Sequence, residues 1–436
     1  MPARRKPESS AAAAEAALQN VRTNSKPSDL KITDLRCAVV ASNYDYPLIR
    51  IDTNQGVYGL GEVRDAGHAM DALHFKAFLL GQDPTNVGLI FDLIERFGGQ
   101  GREAGGISGI EMALWDLTGK VYGVPVYQFM GGKYRDKIRC YADTPTPRDA
   151  TPESYARRVK GRQEMGYTWV KFDVGIGIFE RAGIKGSMSG GRLTQRGIGY
   201  FREIVAAVRK AVGPELPLCI DHFGPLSVDD CIRLGNALEE YDLSWLEDMV
   251  PDYNVDGLCE ITRAIRTPTL NGENTYHLRN FREMIERRAV RILQPDLETA
   301  GGIRETKRIS DYGAEYGMPS VFHFAGSPIG MMANIHCAAA TKSFLVLENH
   351  FVDLLPWWKD LVTGLETSLP GDKGWDGYVS VSEKPGLGVD LNEEVIREHL
   401  RKEYLETTGY FNPTDEWNTR KLGYYQVPGN TIGDVD

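Results

Sequence analysis

The chain has 436 residues, 42% of them hydrophobic and 25% charged, with a formal charge of −10. This is the composition of a soluble globular protein long enough for two or three domains. The acidic balance leaves no basic footprint for nucleic acid, and no run of about 18 apolar residues is present to span a membrane. Six scattered cysteines, without CxxC or zinc spacing, read as buried free thiols in a reducing, cytoplasmic setting.

Met1 to Asp29 is rich in Ala, Ser, Lys and Arg and is expected to be a flexible extension (1–29). Arg4-Arg5-Lys6 is followed by no apolar segment of the kind an export signal needs. From Leu30 to about Asp65 three strand-like runs are punctuated by Gly and Asn, as in an antiparallel meander. The period then turns helical, with Ile107, Ile110, Ala113, Leu114, Leu117 and Val121 on one strong helix that Gly123 and Pro125 end. Residues 30–136 are therefore expected to form an α+β domain.

After Gly131-Gly132 strands and helices alternate. The expected strands are Ile138–Ala142, Thr168–Asp173, Pro217–Asp221, Ser244–Glu247, Thr269–Gly272, Ile292–Gln294, Ser320–Phe322 and Phe344–Leu347. Eight strands with helices between them predict a (β/α) barrel over 137–365. One interval is too long: 48 positions separate Asp173 from Asp221, where about 25 would suffice. The surplus, Gly175 to Gly199, follows a strand at the barrel mouth and is expected to be a mobile lid or an oligomer contact. The polar tail, 366–436, carries Val379-Ser380-Val381-Ser382, expected to return to the N-terminal domain.

Asp221, Glu247 and Glu273 lie 26 positions apart, and each closes a predicted strand. Acids at strand ends often cap the next helix, but three in phase converge on one mouth and would repel without a cation. Hard oxygen ligands suit Mg²⁺ or Mn²⁺. Further strand ends carry Lys171 and Asp173, which share a face at i and i+2. Asp296 and His323, 27 positions apart, are expected on neighbouring strands, the acid orienting the imidazole. Glu348 ends the eighth strand.

The chain resembles the enolase superfamily, specifically its mandelate racemase subgroup. The likeness rests on Gly59-Leu60-Gly61-Glu62, on Met112-Ala113-Leu114-Trp115-Asp116-Leu117-Thr118-Gly119-Lys120 with Gly123-Val124-Pro125, and on Gln294-Pro295-Asp296 with Gly301-Gly302-Ile303. His323 with Ser327 and Ile329-Gly330, and Pro385-Gly386-Leu387-Gly388-Val389, extend it. It implies a modified TIM barrel with an N-terminal capping domain completed by the C-terminal segment. It also implies one Mg²⁺ per subunit (Mn²⁺ as substitute) on Asp221, Glu247 and Glu273, and His323 as base oriented by Asp296. Lys171 matches the first lysine of the family's Lys-x-Lys, and Glu348 is implied as a partner of the substrate carboxylate. The family's capping loops reach over the mouth, so Tyr44, Asp45, Tyr46, Arg64 and Asp65 are candidate substrate contacts, as is Asp173 on the second strand.

The sequence departs from the family in one place. Asp173 stands where the second lysine is usual, so a symmetric two-base racemase is not expected. Lys-x-Asp resembles the subgroup's acid-sugar dehydratases. Some of these carry Asp-x-His on the third strand, but here Asp221-His222-Phe223 is shifted by one, and only a bulge would turn His222 inward. The expected reaction is Mg²⁺-dependent removal of the C2 proton of a sugar acid by His323, with the C3 hydroxyl leaving under protonation by Lys171 or His323. An epimerase, racemase or cycloisomerase using the same enediolate, or a non-catalytic sugar-acid binder, are the alternatives. The expected partner is a small carboxylate; the family's habit implies a homo-oligomer, from dimer to octamer.

Overall fold

The structure is a computed structural model that describes residues 29–42, 44–64, 67–99, 104–221, 223–350 and 355–419. The expected N-terminal extension, Asp65 and His222 therefore lie almost wholly or wholly outside the described residues. A meander of β1 (Ile32–Val40), β2 (Tyr46–Thr53) and β3 (Tyr58–Glu62) pairs antiparallel in that order. Its Leu35, Cys37, Val39, Ile49 and Ile51 pack with Ile107, Ile110, Leu114 and Leu117 of α1 (Gly105–Tyr122) into a separate N-terminal core. Gly59 and Gly61 make the approach of β3 to α1 possible. A Cβ on either would stand 2.0 Å from a helix carbonyl oxygen, that of Ala113 or of Gly109. The Gly-x-Gly of the sequence is thus a packing requirement. Gly123, at φ 70°, ends α1 in the left-handed conformation.

Eight parallel strands then close a barrel: β4 (Lys137–Ala142), β5 (Val170–Asp173), β6 (Leu218–Asp221), β7 (Trp245–Glu247), β8 (Thr269–Asn271), β9 (Ile292–Leu293), β10 (Ser320–Phe322) and β11 (Phe344–Asn349). One main helix follows each of the first seven: α2 (Pro152–Glu164), α3 (Gln195–Val212), α4 (Val228–Leu238), α5 (Val255–Ala264), α6 (His277–Glu286), α7 (Ile303–Glu315) and α8 (Pro328–Ala340). Thr151, Thr194, Ser227 and Asn254 cap the first four of the barrel helices through their side chains. Tyr141, Cys219, Trp245, Leu270, Ile292, Val321 and Val346 fill the barrel interior. An isolated parallel bridge joins Asp296 to His323 beyond the short β9, placing these two residues side by side. The architecture is the expected modified TIM barrel with an α+β capping domain.

Two connecting segments take definite form, and the second departs from expectation. The surplus before β6 is an ordered excursion: a short helix, Ile178–Arg181, and a hairpin of Met188–Ser189 with Arg192–Leu193, before α3 begins at Gln195. Arg192 ties it to Asp230 of α4 at 2.8 Å. The Val379 segment does not return to the capping domain; Tyr378–Ser380 pairs antiparallel with β4, Val379 opposite Ile138. Alternating Val and Ser suits an added sheet edge, which explains that docking. The return is made elsewhere. Gly386 and Leu387 seat against Asp116 of α1, Val40 bridges Leu400, Trp417 enters the N-terminal core, and Lys76 donates to Thr414. All six cysteines are buried and unpaired. Among the described residues no helix is long and apolar enough to cross a membrane.

The capping domain is fastened to the barrel at helix N-termini. Glu62, fully buried, accepts from the amides of Ser327 and Gly330 and from the Ser327 hydroxyl, at the start of α8. Glu111 of α1 accepts from the amides of Ile303 and Arg304, at the start of α7. Unpaired helix donors and the helix dipole favour carboxylates there. Glu62→Ala strands these buried donors, which should cost about 2–3 kcal/mol of stability. The urea midpoint of the variant measures it; an unchanged midpoint would show that the contact does not fasten the domains.

Candidate active site

The carboxyl ends of the barrel strands gather the chemistry. Asp221 ends β6, Glu247 ends β7 and Glu273 follows β8. One carboxylate oxygen from each lies within 4.8 Å of the others. Burial and neighbouring Asp221 push the Glu247 carboxyl well above the usual range, so the three resist being ionised together without a cation. Three converging hard oxygen donors fit a divalent ion such as Mg²⁺. Glu247 is further fixed by donors from Trp245 Nε1 (2.9 Å) and Gln294 Nε2 (2.6 Å).

Lys171 on β5 is 2% exposed and stands 2.9 Å from Glu247, 2.9 Å from Glu348 and 3.1 Å from Asp221. Burial works against its charge, but the three carboxylates outweigh that, and its pKa lies well above the usual lysine value. Glu348 receives the Tyr141 hydroxyl at 2.6 Å. Burial chiefly, with Asp143, raises the Glu348 carboxyl to about 7 against the opposing pull of Lys171. It can therefore carry a proton near neutrality.

His323 and Asp296 meet as expected, Nδ1 to Oδ2 at 2.5 Å. The other Asp296 oxygen caps the turn Leu297–Ala300 by accepting the Thr299 amide. His323 Nε2 lies 3.2 Å from Glu273 Oε2 and 3.9 Å from Glu348 Oε2, so the base atom points at the ligand cluster. Its neighbour Glu273 is held below the usual range: burial raises it, but His323 and Arg64 outweigh burial.

Arg64 belongs to this network and not to the substrate surface. Its guanidinium is wholly buried, with Nη1 3.0 Å from Asp296, donating also to the Glu273 carbonyl and the Thr299 hydroxyl. Coming from the capping domain just after β3, it needs counter-charges and finds them beneath the mouth. Tyr46 likewise is 1% exposed and sits in the main core with Val40, Leu48 and Leu60, because its place on β2 points it into the sheet's packed face. Asp45 is engaged by Arg401. Tyr44 alone of the three loop residues approaches the mouth, its ring 5.3 Å from that of His350.

A further group was not anticipated. Asp143 follows β4 and His350 follows β11, two residues beyond Tyr141 and Glu348, so both face the mouth. His350 Nε2 lies 3.0 Å from Asp143 Oδ2. Asp173, on the Lys171 face, adjoins them: burial first, then Asp143 and Asp221, push its carboxyl well up. Asp248, held at φ 47° after β7, is another acid in the cluster. The i+2 rule applied to β4 and β11 would have found Asp143 and His350.

A (β/α) barrel with a capping domain, three carboxylates on its third to fifth strands and a His–Asp pair on the sixth and seventh is an enolase-type enzyme. The family models agree: residues 154–395 match the enolase C-terminal domain-like model and 13–131 the N-terminal domain of the mandelate racemase / muconate lactonizing enzyme family. The chain is 37% identical to D-xylonate dehydratase of Haloferax volcanii, over 85% of this chain and 89% of that one. It is 28% identical to a D-galactonate dehydratase family member, RspA, of Cellvibrio japonicus, over 86% and 96%. A crystal structure of a mandelate racemase/muconate lactonizing enzyme-like protein from Rubrobacter xylanophilus superposes with a TM-score of 0.76 at 33% identity, covering 86% of this chain and 98% of that one. The chain belongs to the mandelate racemase / muconate lactonizing enzyme family, and is an enzyme of its dehydratase (hydro-lyase) kind. Membership implies a divalent metal.

Binding to the folded state alone stabilises it, by about 2.7 kcal/mol at roughly 100 times the Kd. Mg²⁺ should therefore raise the melting temperature of the protein, and Glu247→Gln should abolish most of that rise. A wild-type melting curve indifferent to Mg²⁺ and Mn²⁺ would contradict the ligand assignment.

Proposed function

We propose that this enzyme dehydrates a sugar acid, an aldonate or aldarate, to its 2-keto-3-deoxy acid. The observation that carries this reading is His323 Nε2, backed by Asp296 at 2.5 Å and directed at the carboxylate cluster, 3.2 Å from Glu273. Asp221, Glu247 and Glu273 would hold one Mg²⁺, or Mn²⁺ in its place, which when bound supplies charge stabilisation for a substrate carboxylate. The names of the relatives support a polyhydroxy acid as substrate.

The chain's own residues divide the remaining work. His323 takes the C2 proton, and Asp296 holds the ring by Nδ1 and stabilises the imidazolium that forms. Arg64 anchors Asp296 from the capping domain. Glu348, titrating at about 7, donates to the substrate carboxylate when protonated, on the side away from the metal ligands. Lys171 is surrounded by three carboxylates. Its ammonium bridges them and braces the carboxylate cluster. The hydroxyls of the substrate face Asp173, whose Oδ1 is sealed from solvent and makes no hydrogen bond among the described residues.

With Mg²⁺ and a panel of acid sugars that includes D-xylonate, D-galactonate and D-gluconate, at least one should yield a 2-keto acid. His323→Asn should lower that turnover by at least about 10³-fold and stop C2 exchange in D₂O. Inversion or exchange at C2 with no keto acid would establish an epimerase instead. Binding without exchange would establish a non-catalytic binder.

A further inference from the structure

Removal of water needs two proton transfers: one from carbon, one to the leaving oxygen. His323 provides the first; Lys171 is engaged by Asp221, Glu247 and Glu348 at 2.9–3.1 Å. The barrel mouth carries another His–carboxylate pair in a position to supply the second. The metal-ligand carboxylates occupy the third to fifth strands and the Asp296–His323 pair the sixth and seventh. The Asp143–His350 pair occupies the first and eighth, closing the ring between the strand that leads to His323 and the strand that carries Lys171.

Its geometry is built rather than incidental. The Asp143 amide donates to the Asn349 carbonyl at 3.2 Å, and Ala142 pairs with Asn349, so the backbone locks the two side chains side by side. Both lie two residues past inward-facing partners, Tyr141 and Glu348, which are themselves hydrogen-bonded. The charged groups facing His350 are Asp143, Glu348 and Lys171. Burial disfavours the imidazolium, but Asp143 with Glu348 outweighs burial, and the pKa of the ring is raised. The His350 side chain is 12% exposed, and the Tyr44 ring of the capping loop lies against it. Asp173, whose Oδ1 makes no hydrogen bond among the described residues, adjoins Asp143 on the next strand. A sealed acceptor of that kind suits a ligand hydroxyl.

Resting on the dehydratase reading, we propose that His350, oriented by Asp143, is the acid that protonates the departing C3 hydroxyl. The atoms balance as follows. His323 takes the C2 proton, and the C–H electron pair passes into the enediolate. That pair then forms the C2–C3 double bond as the C3–O bond breaks, and His350 gives its proton to the oxygen, releasing water. In the enol so formed, His323 returns its proton to C3 while the enol O–H proton passes to His350. Both rings end as they began.

Separate base and acid make separable measurements. In D₂O with a substrate of the wild-type enzyme, His350→Asn should lose about 10²–10⁴-fold in keto-acid formation, while C2 exchange stays within about tenfold of wild type. Retained exchange reports that the variant is folded and that its metal-ligand carboxylates and base are intact. Asp143→Asn, which keeps the imidazole, should lose keto-acid formation about tenfold, in kcat rather than KM, with exchange unchanged. The inference is overturned if His350→Asn makes keto acid at the wild-type rate. It is equally overturned if both variants lose exchange and dehydration by one common factor, which is the mark of a structural role. A wild-type enzyme that exchanges C2 but never forms keto acid would instead remove the dehydratase reading, and this inference with it.

Discussion

Electrostatic crowding at the barrel mouth is the constraint around which the rest of the molecule is arranged. Asp143, Asp173, Asp221, Glu247, Asp248, Glu273, Asp296 and Glu348 converge there, and among the described residues Lys171 and Arg64 are the permanent cations that touch them. Carboxylates packed this closely are not ionised together in a low-dielectric site without compensation. Five of them show three solutions. Asp221 and Glu247 share Lys171 and, with Glu273, make a seat for a divalent ion; Asp296 takes Arg64, a helix-turn amide and an imidazole; Glu348 takes a raised pKa and a tyrosine hydroxyl. The same crowding that makes the fold costly thus distributes distinct protonation states around one cavity, which acid–base catalysis needs.

This arrangement gives the capping domain more than a covering role. Arg64 arrives from β3 to neutralise Asp296, while Glu62 and Glu111 close the N-termini of α8 and α7. Burial drives the Glu111 carboxyl up to about 7, opposed by the helix amides. A domain joined to the barrel by buried charges has few alternative docking positions, because each carboxylate must meet its donors. Register between the domains, and with it the placing of Tyr44 over the mouth, follows from those contacts.

Much of this was legible in the sequence because a barrel imposes period. Strand ends recur at near-constant intervals, so Asp221, Glu247, Glu273, Asp296 and His323 declared themselves by spacing, and each lies at the mouth. The motif glycines read equally well, since Gly59 and Gly61 admit no side chain. What failed were residues whose role depends on the direction of a side chain from a loop. Arg64 and Tyr46 have polar ends, and a short segment of text does not show whether those ends meet water or a buried partner. The Val379 segment misled for a related reason: a strand-like run shows that it pairs, not with which edge. Asp143 and His350 escaped notice because they lie past the apolar runs that mark β4 and β11, although alternation from Tyr141 and Glu348 locates them.

The substitution of an acid for the second lysine of the family motif then takes on a physical meaning. A lysine at position 173 would bring a cation against Asp143 and Asp221 and place a second base on the Lys171 face. Asp173 brings an acceptor there instead, raised in pKa by burial and by Asp143. The stations around the mouth cease to be equivalent: an Asp-oriented imidazole at the seventh strand, a His–Asp pair on the eighth and first, and an acceptor on the second. A symmetric site returns a proton to either face of the same carbon, the outcome of racemisation. A site with distinct groups moves a proton off one carbon and another toward an oxygen on the next. Loss of water is the reaction for which that asymmetry is suited.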